Sequence, residues 1–466
     1  MNLSNNRPNK IFFLGIGGSG MSGLAEVLFN LGYKVSGSDI EKSSATKRLS
    51  SLGIDISIGH KGSNISNKDM IIKSSAINDS NPELVEARKK NLPVLERAEL
   101  LSSLMNMKRG IAIAGTHGKT TTTSILALIM TEALKDPTFI NGGIINSFAS
   151  NAKLGTGEYL IAEADESDKS FLMLQPSLEI ITNIDSDHLL NYEGKFSNLE
   201  EAFVKFVKKL PFNGLVVACG DDPVIKKLLP RFSRKTILYG FEKHNEYRIE
   251  DYKTVRYKSE FTLVNSDGSS NNFKLNMPGK HNVLNATAAS VLSIEEGIPV
   301  INISSALRKF SGINRRMQYL GNLNNTPVID DYGHHPTEIK NTIMTLRESF
   351  PDYKLTMVFQ PHRYSRTKDL FKEFVEVMQC TDKLIILEIY SAGESPLKGI
   401  TSTSLLKAIQ NKGLENSQLA ESNEDVLEII NSNITEDKEI LLIQGAGNIS
   451  EVSKGIKKLT QFKNFG

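Results

Sequence analysis

Short isoleucine- and valine-rich runs alternate with longer amphipathic stretches along almost the whole chain. The first run is Ile11-Phe12-Phe13-Leu14, followed by a helical stretch over Met21–Leu31 and a run at Lys34–Gly37. Ile54–Ile58 and Met70–Ile72 continue the series. Apolar runs this short, bounded by glycine and polar residues, read as strands buried on both faces. A second series places strands at Ile111–Ala114, Tyr159–Ala162, Glu179–Thr182 and Leu215–Ala218, with helices over Thr121–Leu134 and Leu199–Leu210. From Tyr247 to Met277 the pattern turns to polar alternation, which predicts a small antiparallel excursion. A third series holds strands at Pro327–Asp330, Lys354–Phe359, Lys383–Leu387 and Glu439–Gln444. Charge clusters such as Glu436-Asp437-Lys438 read as solvated surface. Strands alternating with helices predict α/β layers built on mostly parallel sheets.

Length changes this picture only by division: 466 residues correspond to roughly three domains. Hydrophobic residues make up 39% and charged residues 23%, as in a soluble globular protein. A net charge of +2 argues against a general nucleic-acid or membrane surface, so local charge must do any anion binding. Cys219 and Cys380 are too few and too distant for a zinc pattern or disulfide framework, and are expected as buried thiols in a reducing compartment. Met1 to Lys10 is polar, so no secretory leader is expected, and no apolar run reaches membrane-spanning length. A cytoplasmic enzyme, monomeric or weakly dimeric, is the expectation.

The chemistry is concentrated in the turns that follow strands. Gly115-Thr116-His117-Gly118-Lys119-Thr120 lies between a predicted strand and a predicted helix. Glycines bring backbone N–H groups close to an anion, and the helix start adds its own free N–H groups and dipole. Lys119 would place a charge on the β/γ-phosphates, and the Thr120 hydroxyl would ligate Mg²⁺. The full P-loop pattern wants a glycine where Ile113 stands, so this is a shortened form. The run Gly15-Ile16-Gly17-Gly18-Ser19-Gly20 makes a second phosphate site, with Asp39 lying 19 residues past Gly20. Strand, Gly-x-Gly-x-x-Gly, helix, strand and acid is the Rossmann arrangement. It suits NAD, and it suits UDP equally, since it asks only for a diphosphate and a ribose.

Acids follow two further strands. Glu163-Ala164-Asp165-Glu166-Ser167-Asp168 would face the P-loop across the crevice beyond the strand ends, and Glu163 is the expected metal ligand. Asn183-Ile184-Asp185-Ser186-Asp187-His188 offers His188 as a second ligand or as a group that holds substrate. Asn282 and Asn285, after His281, share a helix face and suit either an adenine edge or a cap. Arg315-Arg316 is either surface or a bidentate γ-phosphate contact. Asp330 to Glu338 follows a strand and starts a helix, and His362-Arg363-Tyr364-Ser365-Arg366 follows another. Arg363 and Arg366 suit a substrate carboxylate or a solvated turn. Six of eight histidines (117, 188, 281, 334, 335, 362) fall within these motifs, which random placement does not explain.

Taken in order, these motifs resemble the Mur ligases, the ATP-dependent amide-forming enzymes of peptidoglycan synthesis. The matching stretches are residues 15–23, Ser74-Ser75-Ala76-Ile77, 115–121, 163–168, Asp187-His188, 281–285, 331–338, 360–366 and 392–394. The resemblance spans nearly the whole chain, and its best fit is to the alanine-adding branch. It implies three α/β domains: a Rossmann-like UDP-sugar domain over 1–107, a central P-loop ATPase-like domain with a mostly parallel sheet over 108–314, and a Rossmann-like amino-acid domain over 315–466. Implied ligands are ATP, Mg²⁺, UDP-N-acetylmuramate and L-alanine.

For ATP the resemblance implies Gly115, Thr116, His117, Gly118, Lys119, Thr120, Thr121, His281, Asn282, Asn285, Arg316 and Asp331. For the metal it implies Thr120, Glu163 and His188. For the sugar nucleotide it implies Gly15, Gly17, Gly18, Ser19, Gly20, Asp39, Ser74, Ser75 and Ala76, and for alanine Tyr332, His362, Arg363 and Arg366. Lys119, Glu163, His188, Arg316 and His335 would be catalytic, with His188 or His335 taking the proton of the amine. The implied route is phosphorylation of the lactyl carboxylate, then attack of alanine on the acyl phosphate.

Two departures stand out. Phe203 occupies the place where many relatives carry a carbamylated lysine, so none is expected here. Leu189-Leu190 follows the Asp-His pair where an acid is usual. Rival readings remain at this stage. A nicotinamide-dependent oxidoreductase leaves the Gly118-Lys119-Thr120 loop unexplained, and a non-ligating ATPase module leaves the first loop unexplained. A peptide-adding sister ligase would be expected to carry Phe-Ala at Tyr332-Gly333.

Overall fold

The computed structural model describes residues 8–187, 189–433 and 438–459. Its first sheet is β1 (Lys10–Leu14), β2 (Lys34–Asp39), β3 (Asp55–Ile58), β4 (Met70–Lys73) and β5 (Val94–Glu96), ordered β3-β2-β1-β4-β5. Every neighbouring pair is parallel. The crossovers carry α1 (Ser19–Asn30), α2 (Ser44–Ser51) and α3 (Pro82–Lys89), and α4 (Arg97–Met105) follows β5. Strand order reverses between β1 and β4, so the Gly15–Gly20 loop after β1 sits at the switch point where such sheets bind ligands.

The second sheet has ten strands: β6 (Arg109–Ala114), β7 (Thr138–Ile145), β8 (Ser150–Lys153), β9 (Tyr159–Glu163), β10 (Leu178–Ile181), β11 (Leu215–Cys219), β12 (Lys235–Gly240), β13 (Tyr247–Val255), β14 (Lys258–Val264) and β15 (Ser270–Leu275). Their order is β15-β14-β13-β12-β11-β10-β6-β9-β7-β8. From β13 to β7 by way of β6 the pairs are parallel. The two-residue link Arg256-Tyr257 between β13 and β14 requires an antiparallel hairpin, as the polar alternation predicts. Around this sheet lie α5 (Lys119–Glu132), α6 (Phe196–Val207), α7 (Pro223–Leu228), α8 (Lys280–Glu295) and α9 (Val300–Lys309). Residues Thr121 to Met130 of α5 are all buried, so packing rather than an exposed polar face sets this helix in place.

The third sheet runs β16 (Gln318–Leu323), β17 (Thr326–Asp331), β18 (Lys354–Phe359), β19 (Lys383–Leu387), β20 (Ser417–Ala420) and β21 (Glu439–Gln444), ordered β16-β17-β21-β18-β19-β20. Only the edge pair β16–β17 is antiparallel. Its helices are α10 (Pro336–Ser349), α11 (Tyr364–Asp369), α12 (Phe371–Met378), α13 (Ser402–Lys412), α14 (Asn423–Asn433) and α15 (Ser450–Leu459). Val328, Val358, Ile385, Leu441 and Ile443 form a core with Val426, Ile430 and Val452 of the covering helices.

The chain divides into two compact units. One holds the residues up to Tyr252 with Glu260–Leu275 and Asn282–Phe310, and the other holds Lys253–Ser259, Asn276–His281 and the residues from Ser311 onward. The first two sheets thus share one unit. Within it, α1 packs on the β7–β8 hairpin, where Gly23 leaves room for Ala152 and Ile140. Arg48 of α2 reaches Asn151 at 2.8 Å and pairs with Glu26. Among the described residues no helix is long and apolar enough to cross a membrane.

Candidate active site

The P-loop joins β6 to α5 at the carboxyl edge of the ten-stranded sheet, and its two glycines are required. Gly115 has φ +129° and a Cβ there would collide with Thr182 Oγ1; Gly118 has φ +86° and a Cβ there would collide with Asn285 Oδ1. Asn285 therefore lies against the loop. Since α8 begins at Lys280, neither Asn282 nor Asn285 stands at its cap. The loop is fastened from the next strand end: Thr182 Oγ1 donates to His117 O at 2.6 Å, Asn183 Oδ1 accepts the His117 N–H at 2.9 Å, and Thr116 Oγ1 accepts the Asp185 N–H at 2.8 Å. Asp185 also lies 3.2 Å from His117 Nε2. Thus Asn183 and Asp185 shape the phosphate loop itself. His188, expected as a metal ligand and base, lies outside the described residues.

Lys119 is held rather than extended. Its ammonium donates to Gly115 O at 2.6 Å, Thr116 O at 3.2 Å and Glu166 Oε2 at 2.7 Å. Burial alone would depress its pKa, but Glu166, Asp165 and Glu163 outweigh burial and raise it. Burial pushes Glu166 up to about 7 despite Lys119. Burial also acts to raise Asp165, but Lys119, Ser167 and Arg97 prevail and leave it lowered. Three carboxylates thus act on one ammonium. That surplus of negative charge, with the Thr120 hydroxyl and Glu163 as hard oxygen donors, fits a divalent cation such as Mg²⁺.

Glu163 is oriented by a device that the motif reading missed. Its Oε1 accepts the Gly142 N–H at 2.6 Å, and a Cβ on Gly142 would lie 3.0 Å from that oxygen. Gly142 sits where the β7–β8 register shifts between Ile140 and Ile145. Next to it, buried Asn141 donates to Gly143 O and to Ser124 Oγ, both at 2.9 Å, and Ser124 Oγ donates to Thr120 O at 2.7 Å. The bulge therefore ties the backbone of Thr120 to the residue that holds Glu163. The signal available in the sequence was Asn141-Gly142-Gly143 interrupting an apolar run.

At the first loop, Gly15 has φ +74° and packs against Ser74 and Ile77, so the Ser74–Ile77 segment folds over the loop. Asp39 Oδ2 accepts the Gly17 N–H at 2.8 Å, which fixes the acid beside Gly15–Gly20. Gly18 is the residue before α1, and Ser19 and Gly20 open it.

The second unit gathers the remaining candidates. Arg315 and Arg316 both stack on the Tyr332 ring, at 5.3 and 5.2 Å. Arg316 lies 3.7 Å from Glu338. Asp331 accepts the N–H groups of Met317 and Gly333 at 2.9 Å, and the Gln444 amide at 2.8 Å. His335 caps α10. His334 contacts both Tyr332 and His362 at 5.5 Å, and His362 stacks on Tyr390. Arg366 Nη1 lies 3.3 Å from His362 Nδ1. Burial pushes His281 and His334 down to about 4 and His362 down to about 3, with nearby arginines adding to each. All three rings are neutral at pH 7. Phe203 is wholly buried, edge-on to Phe171 at 5.4 Å; an apolar ring fills the place considered for a modified lysine.

Three family profiles match the chain in order. They are the Mur ligase family catalytic domain over residues 10–109, the Mur ligase middle domain over 113–293, and the Mur ligase glutamate ligase domain over 315–447. Among solved structures, a UDP-N-acetylmuramate–alanine ligase from Thermotoga maritima is 31% identical with a TM-score of 0.83, covering 96% of this chain and 98% of that one. A murein peptide ligase from Psychrobacter arcticus is 23% identical with a TM-score of 0.71, covering 98% and 99%. A MurF ligase from Thermotoga maritima, solved in complex with ADP, is 16% identical with a TM-score of 0.62, covering 91% and 94%. These last two share the fold. The chain belongs to the Mur ligase family, ATP-dependent ligases of peptidoglycan precursors. Members of the family use ATP and bind UDP-sugars and amino acids.

Proposed function

We propose that this chain joins L-alanine to the lactyl carboxylate of UDP-N-acetylmuramate, with ATP converted to ADP and phosphate. The observation that carries this reading is a pair of glycine-built phosphate loops in one compact unit, at Gly15–Gly20 and Gly115–Thr120. The 31% identity to an alanine-adding ligase supports the finer assignment. In this reading residues 1–107 bind the UDP-sugar, 108–314 bind ATP and 315–466 bind alanine. Tyr332-Gly333 supports alanine over a peptide. A Cβ on Gly333 would approach Gln444 Nε2 at 2.6 Å and Asp331 Oδ1 at 2.7 Å, so alanine at that position does not fit this turn.

A carboxylate and a γ-phosphate repel by about 4 kcal/mol per pair of unit charges at ~4 Å in a protein-surface dielectric. Lys119 offsets that repulsion, and Arg316 is proposed to assist. Thr120 and Glu163, with His188, would hold Mg²⁺, which supplies charge neutralisation at the phosphates. The carboxylate oxygen attacks the γ-phosphorus and ADP leaves. The neutral amine of alanine then attacks the acyl carbon, loses its proton to His188 or His335, and expels phosphate. Asn282 and Asn285 are assigned to adenine, and Tyr332, His362, Arg363 and Arg366 to the amino acid.

The test is ADP release with UDP-N-acetylmuramate and Mg·ATP, offered alanine, glycine, serine or a muramyl-type tripeptide. Release that requires the UDP-sugar and is fastest with alanine is expected. Faster release with the tripeptide would assign the chain to the peptide-adding branch.

A further inference from the structure

Arg97, at the start of α4, has fewer partners than its position calls for. It is partly buried, and among the described residues its one hydrogen bond runs from Nη2 to Ser170 Oγ at 3.4 Å. A guanidinium carries five N–H donors in a planar fork. A cation in the first turn of a helix is also disfavoured by the helix dipole. The α4 capping box, made by Glu96 and Glu99, uses the acids of that turn and not the arginine. Neither local structure nor packing accounts for this side chain.

Its surroundings do. The guanidinium lies across the first turn of α1, where a Cβ built on Gly20 would stand 3.0 Å from Nη1 and 3.2 Å from Cδ. Its partner Ser170 Oγ in turn donates to Asp165 O at 3.4 Å, and the arginine's charge helps to hold the Asp165 carboxyl low. One arginine therefore adjoins both the Gly15–Gly20 loop and the acid cluster beside Lys119. Gly20 has a use here beyond helix packing, since any side chain at that place would crowd the guanidinium.

We infer that Arg97 binds the anionic end of the sugar nucleotide, between the loop that takes its diphosphate and the cluster where its carboxylate is activated. The inference rests on the reading of Gly15–Gly20 as a UDP-sugar site. The recognised chemistry is a phosphate or carboxylate oxygen pair, which a planar fork binds through two parallel hydrogen bonds. The binding anion is the diphosphate or the lactyl carboxylate of the same substrate.

The test measures binding of UDP, UDP-N-acetylmuramate and Mg·ATP calorimetrically to the full chain and to Arg97→Met, which keeps the apolar stem. UDP-N-acetylmuramate is expected to bind at least about tenfold more weakly, as loss of a charge-assisted hydrogen bond implies, with Mg·ATP unchanged. Equal weakening of UDP assigns the diphosphate; unaltered UDP assigns the carboxylate. A folded Arg97→Met that binds the UDP-sugar as tightly as wild type overturns the inference. Arg97→Lys, which keeps the charge, gives the same reading should the methionine variant not fold: a partial loss supports the fork, and no loss overturns it. Wild-type chain that binds neither UDP compound refutes the assignment of the loop instead.

Discussion

The Lys119 ammonium lies 2.7 Å from Glu166 Oε2, and with Gly115 O and Thr116 O this contact uses all three of its donors. A lysine that the motif casts as a reach toward phosphate is stored on its own loop. To meet a γ-phosphate it must exchange one contact, and the longest is to Thr116 O at 3.2 Å. Glu166 is 2% exposed, so it needs either the lysine or a proton.

Lys119→Met should therefore lower product formation at least tenfold, roughly the least that loss of a phosphate-charge contact costs. It should also destabilise the chain more at pH 8 than at pH 6. Removing one partner of a buried pair costs about 3–5 kcal/mol when the other stays charged, but Glu166, already pushed up to about 7 by burial, takes a proton at the lower pH. Lys119→Met with Glu166→Gln should recover the stability and not the activity. A single variant as stable as wild type at pH 8, measured by thermal melting, would remove the structural half of this account.

Gly142→Ala tests the device behind Glu163. The added methyl carbon would stand 3.0 Å from Oε1 and push the carboxylate off the Gly142 N–H. The Mg²⁺ concentration for half-maximal activity should rise about tenfold, as is common when the group that orients a metal ligand is lost. Asn141→Ala should act in the same direction through Ser124 and Thr120. Titration of activity and of Mg·ATP binding against Mg²⁺ decides it; curves that superimpose on wild type would mean that Glu163 needs no such support.

Acid should weaken the second unit in a definite window. His281 and His334 are held down to about 4 and His362 to about 3, first of all by burial. The unfolded chain takes protons on these rings near pH 6.5 while the folded chain does not. Stability contributed by the neutral rings is thus present above about pH 6.5 and is lost as pH falls from there toward 4. His362→Gln keeps an acceptor for Arg366 but has no ring to protonate. The fall in melting temperature between pH 7 and pH 5 should be smaller in that variant; an identical fall would assign the acid sensitivity to other groups.

Most main sheet strands were legible because strands buried on both faces read as plain apolar runs: Ile111–Ala114 and Lys354–Phe359 needed no partner information, although the central strand β12 was passed over. The β7–β8 hairpin was not, because Asn141-Gly142-Gly143 breaks the run at the bulge that makes it useful. The short edge strands β5, β16 and β20 were missed for a related reason: they are only partly apolar. In the site, residues that carry charge on a glycine loop stood out. Asn183, Asp185 and Gly142 stand in stretches that mark themselves locally, but their role of holding those residues in place does not show, since their partners lie 21 to 69 residues away. Arg97 is invisible in the same way: its meaning comes from Gly20 in α1 and Asp165 after β9, distant from it in sequence.

A strained backbone position in the second unit falls on an assigned substrate contact, which gives a last prediction with two readouts. Arg363 has φ +71° and ψ 138°, a region that nearly excludes side chains and costs on the order of 1–3 kcal/mol. It is held there from three sides. Its N–H donates to Tyr390 O at 2.8 Å, its carbonyl accepts the Thr367 hydroxyl at 2.8 Å, and Glu394 fixes Ser365 through both N–H and Oγ, at 2.9 and 2.6 Å. A glycine would adopt this conformation without strain. If the strain is retained to present a guanidinium to the carboxylate of alanine, Arg363→Gly should melt at a higher temperature and show a KM for alanine raised at least about tenfold, with the KM for ATP unmoved. Were the variant to gain stability with no change in the alanine KM, the arginine would have no part in binding, and the turn would need another explanation for carrying a side chain at all.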